Sequence, residues 1–372
     1  MYTRDIIHTN DAVANLFQRI DVDRFPHALL LKGPAGSGKL MIARALAQYL
    51  ICENKSEKDS CGKCQHCHKS LKSIHPDIHF SFPITGAKVT CNDFMNDFRS
   101  FIMEQAYASG SDWIMRMGEG KKTGNITAAE CNRLSHIVHL KPYESDKKIV
   151  IIWLPEFLGK EGNRLLKMIE EPPPETYFIF VSDQADMILG TILSRCQIVN
   201  IAPVSTQVMA DIISEKFSLQ ADDALTIANL SDGNINEAFA ISQNSDNKFL
   251  PIWMALFRAA YQGHSASIVK AVNDLNEFTK EEMKTFFQYC THFLRQCLLL
   301  RYLPSDQVIL PQQELDLAQK VISVVDDEAI QRISTMLDEL SYHLERNANM
   351  KVSLLNFAIQ TNKTLKKDAV MA

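Results

Sequence analysis

Residues 29–41 decide the fold of this chain, and they read Leu-Leu-Leu-Lys-Gly-Pro-Ala-Gly-Ser-Gly-Lys-Leu-Met. Within them lies the Gly-x-x-x-x-Gly-Lys pattern of a phosphate-binding P-loop, between an apolar stretch that predicts a strand and a helical pattern over 41–50. Glycines let backbone N–H groups approach phosphate oxygens, and the helix N-terminus and the lysine add positive charge. The alternative is an ordinary glycine-rich turn. The predicted nucleotide-binding residues are Gly33, Gly36, Ser37, Gly38 and Lys39.

The P-loop lacks one of its functional groups. The motif requires a Ser or Thr after the lysine, because that hydroxyl holds Mg²⁺, and here the position is Leu40. The metal ion that bridges the β- and γ-phosphates would therefore lose a ligand, and we expect the loop to be poorly equipped for hydrolysis. The sequence leaves open whether the loop still binds ATP.

Size and composition indicate a globular protein of two or three domains, with 372 residues, 46% hydrophobic and 22% charged. No stretch approaches the ~18 consecutive apolar residues of a membrane span, and the N-terminus does not resemble a signal peptide, so we expect a cytoplasmic location. A net charge of −5 argues against binding of nucleic acid over the whole surface, although it permits a local basic face.

Four of the nine cysteines lie close together, in the spacing Cys-x8-Cys-x2-Cys-x2-Cys. The four are Cys52, Cys61, Cys64 and Cys67. Four thiolates complete a closed tetrahedral shell with no position for water, so the spacing predicts a structural zinc site. His66 and His68 are alternative ligands or surface residues. An iron–sulfur cluster and unligated thiols are the other readings.

The remaining signals predict strands alternating with helices, followed by helices alone. Strands are predicted over 148–153, 177–181 and 197–201, and helices over 4–20, 127–140 and 159–171. Alternation of this kind indicates a doubly wound parallel sheet. A capping box, in which Thr127 accepts an amide N–H and Glu130 reaches back, is expected to open the helix at 127. A second capping box is predicted at Thr279 and Glu282.

The order of the motifs resembles that of the bacterial DNA polymerase III clamp loader. The P-loop, the cysteine cluster, the stretch Leu-Leu-Lys-Met-Ile-Glu-Glu-Pro-Pro at 165–173 and Ser194-Arg195-Cys196 occur in that order, over roughly residues 25–202. The resemblance implies an α/β P-loop domain of the AAA+ type over 1–203, with a zinc knuckle at 52–67 and an insertion at 80–123. It implies a small helical lid over 204–248 and an all-α C-terminal collar for oligomerisation over 249–372.

Within that family the match is closest to the delta-prime type, because residues that hydrolyse ATP are missing. The resemblance places the family's magnesium-binding Asp-Glu pair at Ile152 and Trp153, and Glu156 is a weak substitute. The arginine that senses the γ-phosphate would follow Gly233-Asn234-Ile235, where this chain has Asn236. Together with Leu40, these positions imply a subunit without ATPase activity of its own.

Arg195 is the residue that the resemblance implies for catalysis. In the family this arginine projects into the ATP site of the neighbouring subunit, and such an arginine finger is worth about 10³ to 10⁵ in rate. The alternative is a structural arginine that ties a strand end to a helix.

The resemblance thus implies a non-hydrolysing delta-prime-type subunit of the DNA polymerase holoenzyme, which helps to load a sliding clamp on primed DNA. Its implied partners are the tau/gamma and delta subunits and, through the complex, the clamp and DNA. One rival interpretation is an active ATPase of the tau/gamma type. The other, from a different class, is a zinc-containing DNA-binding adaptor.

Overall fold

The computed structural model describes residues 11–21, 24–56, 59–86, 89–107, 109–117, 124–243, 249–304, 308, 310, 312–346 and 348–368. The chain divides into two compact units. The first comprises Met1–Ser205 with Gly233–Glu237, and the second Thr206–Asp232 with Ala238–Ala372. None of the described helices is long and apolar enough to cross a membrane.

A parallel sheet of five strands forms the centre of the first unit. Its strands are β1 (Ala28–Lys32), β2 (Ile78–Ser81), β3 (Lys148–Trp153), β4 (Thr176–Ser182) and β5 (Gln197–Asn200), in the spatial order β2-β3-β4-β1-β5. Its helices are α1 (Asp11–Asp21), α2 (Lys39–Leu50), α3 (Gln65–Leu71), α4 (Met95–Glu104), α5 (Gly110–Arg116), α6 (Ala128–His139), α7 (Leu166–Glu170) and α8 (Gly190–Leu193).

Alternate strand residues point into two separate hydrophobic cores, one on each face of the sheet. On β3, Ile151 and Trp153 join the core that contains residues of α1, α2, α4 and α5. Val150 and Ile152 join the opposite core, with residues of α6, α7 and α8. Every residue of β3 is buried, as expected of an interior parallel strand. The doubly wound parallel sheet predicted from the sequence is confirmed.

The sequence analysis missed strand β2, which ends at Ser81, and the insertion predicted over about 80–123 stays a prediction. Phe80 and Ser81 pair in parallel with Ile151 and Ile152 of β3, so they belong to the sheet. Only two of the four residues of β2 are apolar, so the strand gives no continuous apolar run. The described part of the remaining insertion contains a 3₁₀ turn at Cys91–Phe94, followed by α4 and α5.

The helix predicted over 159–171 is wrong for most of its length. Residues Pro155–Leu165 form 3₁₀ turns, which Gly159 interrupts with a φ of 49°, and only α7 is α-helical. The helix predicted over 4–20 is present in its described part as α1, and residues 4–10 lie outside the described residues.

The capping prediction at Thr127 is half right. Its hydroxyl accepts the N–H of Glu130 at 3.1 Å, as predicted. The carboxylate of Glu130 does not accept the backbone N–H of Thr127, as a capping box requires. It is fully buried and accepts from the Cys91 amide at 3.0 Å and from the Arg133 guanidinium at 2.6 Å. The charged donor three residues along the helix is the better partner for a buried carboxylate.

The described residues of the second unit are helical or loop. Its helices are α9 (Thr206–Phe217), α10 (Ala221–Leu230), α11 (Ile235–Gln243, which begins in the first unit), α12 (Phe249–Gln262), α13 (Ser265–Leu275), α14 (Lys280–Tyr302), α15 (Gln312–Val324), α16 (Asp327–Glu345) and α17 (Met350–Asp368). Helices α12 to α17 share one hydrophobic core. The capping box at Thr279 and Glu282 is confirmed. The predicted boundary between lid and collar stays a prediction.

Candidate functional site

The P-loop connects β1 to α2 at the edge of the sheet where the parallel strands end. Gly36 and Gly38 have φ angles of 72° and 79°, in the left-handed region that favours glycine. The hydroxyl of Ser37 donates to the Pro34 carbonyl oxygen at 2.8 Å and braces the loop from inside. The loop predicted from the sequence therefore forms, with its residues held together by their own contacts.

The ammonium group of Lys39 is fully engaged within the protein. Its Nζ lies 2.8 Å from Oδ1 of Asp183, 2.5 Å from the Pro34 carbonyl oxygen and 3.2 Å from the Ser37 hydroxyl. An ammonium group has three N–H donors, so these three partners satisfy it. The lysine is 3% exposed. A carboxylate of the same chain thus neutralises the charge that a P-loop offers to phosphate.

Two further side chains cover the glycines of the loop. A Cβ added to Gly36 would lie 1.8 Å from Oδ1 of Asn234, and one added to Gly38 would lie 3.0 Å from the ring of Tyr107. The backbone N–H of Ile235 also donates to the Gly36 carbonyl at 3.2 Å. The cavity beside Lys39 measures about 10 Å³, which is room for about one water molecule, and a larger cavity of about 590 Å³ is lined by Gly33 and Asp183.

The positions expected to hold magnesium carry apolar side chains. Leu40 and Trp153 both line the small cavity beside the P-loop. Ile152 belongs to the core on the other face of the sheet and does not face the loop. The carboxylate that does reach the loop is Asp183, which sequence reasoning missed. Its position directly after the buried strand β4 was the available signal, because ligands of parallel sheets lie at strand ends.

Glu156 and Asn236 are engaged away from the cavity. Oε1 of Glu156 accepts the backbone N–H groups of Asp183 at 3.0 Å and Gln184 at 3.2 Å, so it fixes the turn that carries Asp183. Burial raises the pKa of this carboxyl above its usual range. The amide of Asn236 donates to Oδ2 of Asp112 at 3.0 Å.

Arg195 follows α8 and contacts α7. Its Nη2 lies 2.5 Å from Oε1 of Glu170, and its Nη1 donates to the Thr191 carbonyl oxygen at 2.8 Å and to the Ser194 hydroxyl at 3.4 Å. The side chain is 29% exposed. In this chain alone the guanidinium therefore ties two helices together, and one edge of it still reaches the surface.

The four cysteines of the predicted knuckle converge. Their sulfur atoms all lie within 4.8 Å of one another, and Sγ of Cys61 is 3.9 Å from Sγ of Cys67. Zn–S bonds of 2.3 Å in a tetrahedron place sulfurs about 3.8 Å apart, so the spacing fits zinc.

Backbone amides support this cluster by donating to its sulfur atoms. The N–H groups of Lys63 and Cys64 donate to Sγ of Cys61 at 3.4 and 3.3 Å, and the N–H of Cys67 donates to Sγ of Cys64 at 3.4 Å. Burial alone would raise the pKa of the Cys61 thiol. The N–H groups of Lys63 and Cys64 and the neighbouring thiols have the larger combined effect, and they lower this pKa to about 6.

His66, an alternative ligand in the sequence interpretation, points into a hydrogen-bond chain. The backbone N–H of Asp77 donates to Nδ1 of His75 at 3.1 Å, so the proton of His75 must be on Nε2. That proton is donated to Nδ1 of His66 at 2.8 Å, which leaves Nε2–H of His66 facing Glu53 at 3.1 Å. Glu144, which lies close to both rings, pairs with Lys69 at 2.5 Å. These histidines are therefore arranged for hydrogen bonding.

A comparison with models of protein families matches residues 8–205 to the family described as DNA polymerase III, delta subunit. The match covers more than half of the 372 residues. The chain belongs to this DNA polymerase III family. Its P-loop, cysteine cluster and Arg195 all lie within the matched residues. The resemblance to a clamp-loader family, inferred from the order of the motifs, is confirmed.

Relatives in this family carry the names of two subunit types. The chain is 27% identical over 200 residues to DNA polymerase III subunit delta' of Haemophilus influenzae, covering 54% of this chain and 50% of that protein. It is 27% identical over 252 residues to DNA polymerase III subunit gamma of Buchnera aphidicola, covering 66% of this chain and 59% of that protein. The chain thus spans between half and three fifths of the length of these relatives.

Among solved structures, a DNA polymerase III gamma subunit-related protein from Thermotoga maritima aligns with 95% of this chain and 100% of its own. The identity is 14% and the TM-score is 0.46.

Proposed function

We propose that this chain is a non-hydrolysing, delta-prime-type subunit of the DNA polymerase III clamp loader. It helps to load the sliding clamp on primed DNA, together with the delta subunit and the tau/gamma subunit, and the tau/gamma subunit hydrolyses the ATP. Arg195 supplies a guanidinium to the ATP site of the neighbouring tau/gamma subunit. The observation that carries the proposal is the internal pairing of Lys39 with Asp183.

The pairing argues against hydrolysis for an electrostatic reason. A P-loop lysine must contact the β- and γ-phosphates, and here ATP would first have to displace the Asp183 carboxylate and then remain beside it. Leu40 and Trp153 offer no oxygen to a magnesium ion at the same place. The chain's own P-loop therefore acts as a fixed structural element.

Arg195 differs because it remains at the surface. Its contacts with Glu170, Thr191 and Ser194 use three of the five N–H groups of the guanidinium. Of the other two N–H groups, the one at Nε is buried, so the second N–H of Nη2 is the donor available to a phosphoryl group that a second subunit brings to it. This supports a role in trans, while the tie to Glu170 accounts for its place in the isolated chain.

The test is a reconstitution with the tau/gamma and delta subunits. We expect the chain alone to show no Mg²⁺-dependent ATP turnover, and the complete complex to show DNA-stimulated turnover. Arg195→Ala is expected to lower the rate of the complex about 10³-fold without preventing assembly. An unchanged rate in the assembled complex would refute the role in trans.

An active tau/gamma-type ATPase is the rival that one observation favours, namely the similarity to the Buchnera gamma subunit. It requires turnover by the isolated chain that Lys39→Ala abolishes. The DNA-binding adaptor requires tight, salt-sensitive binding of DNA by the isolated chain, which the net charge of −5 disfavours. The same purified protein therefore tests both rivals.

We further propose that the four cysteines hold a structural zinc ion. Four thiolates leave zinc no open position, so the ion would order the segment between α2 and α3 and take no part in catalysis. We expect one zinc per chain by elemental analysis, and loss of that zinc in Cys64→Ala. Cys290→Ala, a buried cysteine outside the cluster, is the matched control and is expected to retain the metal. Zinc retained by Cys64→Ala would contradict the assignment.

A further inference from the structure

Glu170 occupies an unusual position for a carboxylate. It is the last residue of α7, where the unsatisfied carbonyl groups of a helix carry partial negative charge and disfavour an anion. The helix is held by the buried side chains of Met168 and Ile169, and three prolines follow at 172–174. Glu170 is therefore an exposed carboxylate on a short helix that its buried neighbours hold in place, at a helix end where a nearby cation is favourable.

The cation is Arg195. Oε1 of Glu170 lies 2.5 Å from Nη2, while Thr191 and Ser194 hold Nη1 on the other side of the same guanidinium. A long arginine side chain at the surface otherwise samples many rotamers, and these contacts select one of them. The selection is made within the chain, before any neighbouring subunit is present.

We propose that Glu170 is a positioning residue for Arg195. It holds the guanidinium in one orientation, so that a phosphate group of the neighbouring subunit's nucleotide meets a preorganised donor. The inference rests on the role in trans proposed above for Arg195. What the position requires of Glu170 is an oxygen that accepts from Nη2, since a negative charge near the phosphates would itself be unfavourable.

Two substitutions distinguish the effect of the acceptor oxygen of Glu170 from the effect of its negative charge. Glu170→Gln keeps an oxygen acceptor and removes the charge, so we expect DNA-stimulated turnover of the reconstituted complex to stay within about threefold of the wild type. Glu170→Ala removes the acceptor, and we expect kcat to fall about tenfold with KM for ATP within about twofold, because ground-state binding is unaffected.

The matched control is Glu171→Ala. Glu171 is the neighbouring exposed carboxylate, and the structure shows no ion pair for it within the described residues. It carries the same charge on the same segment, so its removal is expected to leave turnover unchanged. Assembly of each variant complex is checked by size-exclusion chromatography, which separates a lost contact from a lost subunit.

A double variant decides whether Glu170 acts through Arg195. If it does, Glu170→Ala has no further effect in an Arg195→Ala background. Equal losses in both backgrounds, or an unchanged kcat for Glu170→Ala alone while Arg195→Ala is defective, would overturn the positioning role and leave the proposed function intact. If Arg195→Ala itself leaves turnover unchanged, the function in trans fails, and the inference about Glu170 fails with it.

Discussion

Lys39 and Arg195 are two cations of the same unit that the protein treats in opposite ways. The lysine is 3% exposed, and all three of its N–H groups have partners inside the chain. The arginine is 29% exposed, and its carboxylate partner Glu170 is 51% exposed. Both residues belong to motifs for which the sequence predicts contact with phosphate, and of the two only Arg195 has a partly exposed side chain.

Under the proposed function, the P-loop motif persists in the sequence although its chemistry has changed. The glycines and lysine of the P-loop keep their fold because Asp183, Asn234 and Tyr107 occupy the surroundings of the loop. A buried charge must be paired, so the lysine is needed by its own chain. Arg195 has only surface contacts to lose, and it is free to exchange them for a stronger anionic partner.

The largest expected effect separates the two cations by activity. In the reconstituted complex we expect Arg195→Ala to lower DNA-stimulated hydrolysis about 10³-fold, whereas Lys39→Met combined with Asp183→Ala stays within about twofold of the wild type. The combined variant removes the lysine together with its counter-ion, so no buried charge is left unpaired. A large loss in that variant would show that the P-loop of this chain still acts in the cycle.

A second prediction separates the cations by stability. Asp183→Ala leaves the Lys39 ammonium buried without its carboxylate, and we expect the free energy of unfolding to fall by about 3 kcal/mol. Restoring neutrality with Lys39→Met in the same chain is expected to recover most of that loss. The measurement is urea unfolding, with the exposed Asp186→Ala as the control, which is expected to change it by less than about 0.5 kcal/mol. A similar loss in both aspartate variants would contradict the pairing.

A third prediction concerns His79 and the dependence of the free energy of unfolding on pH. On β2, burial and the neighbouring charges of Arg133 and Lys148 lower the pKa of His79 to about 4. The unfolded chain takes up this proton near pH 6.5, so the contribution of a neutral His79 is complete above pH 6.5 and is lost as the pH falls toward 4. Between pH 7 and pH 5 we expect the wild type to lose about 1 to 2 kcal/mol more than His79→Gln.

The experiment is urea unfolding of both proteins at the two pH values, with zinc added equally to both. Loss of metal at low pH affects both proteins and cancels in the difference. Equal losses in the two proteins would show that His79 is protonated in the folded state as readily as in the unfolded one.

The smallest effect is expected for the exposed pair. Ion pairs at the surface contribute less than about 1 kcal/mol, because solvent screens them and two long side chains must be ordered. Glu170→Gln is therefore expected to change the free energy of unfolding by less than this amount. A double-mutant cycle on Glu170 and Arg195 measures their coupling, and a coupling as large as that of Lys39 with Asp183 would remove the contrast between the two cations.

The sequence predicted the parts of the fold that depend on neighbouring residues. Strands β1, β3 and β4 were predicted within one or two residues, because interior parallel strands are continuous apolar runs, and the edge strand β5 was predicted within one residue. The cysteine spacing predicted a cluster that the structure brings together. The edge strand β2 was missed because only two of its four residues are apolar. The 3₁₀ turns at Pro155–Leu165 were missed because the sequence pattern predicted a helix from 159, where Gly159 has a φ of 49°.

The contacts that the P-loop makes with distant parts of the chain could not be predicted from local patterns. Lys39 meets Asp183, and Gly36 meets Asn234, across long separations in the chain. Leu40 indicated that the loop lacks the hydroxyl ligand for magnesium. No residue near it in the sequence indicated that Lys39 pairs with an aspartate of the same chain. The partnership of Arg195 with Glu170 is of the same kind, because it joins the ends of two short helices that only the folded chain brings together.

The ion pair of Lys39 with Asp183 also ties the loop after β1 to the end of the neighbouring strand β4. In a P-loop that works on nucleotide, the lysine contacts the β- and γ-phosphates instead. Here the connection is built into the polypeptide. Under the proposed function, we expect the shape of this edge of the sheet to be independent of the ratio of ATP to ADP.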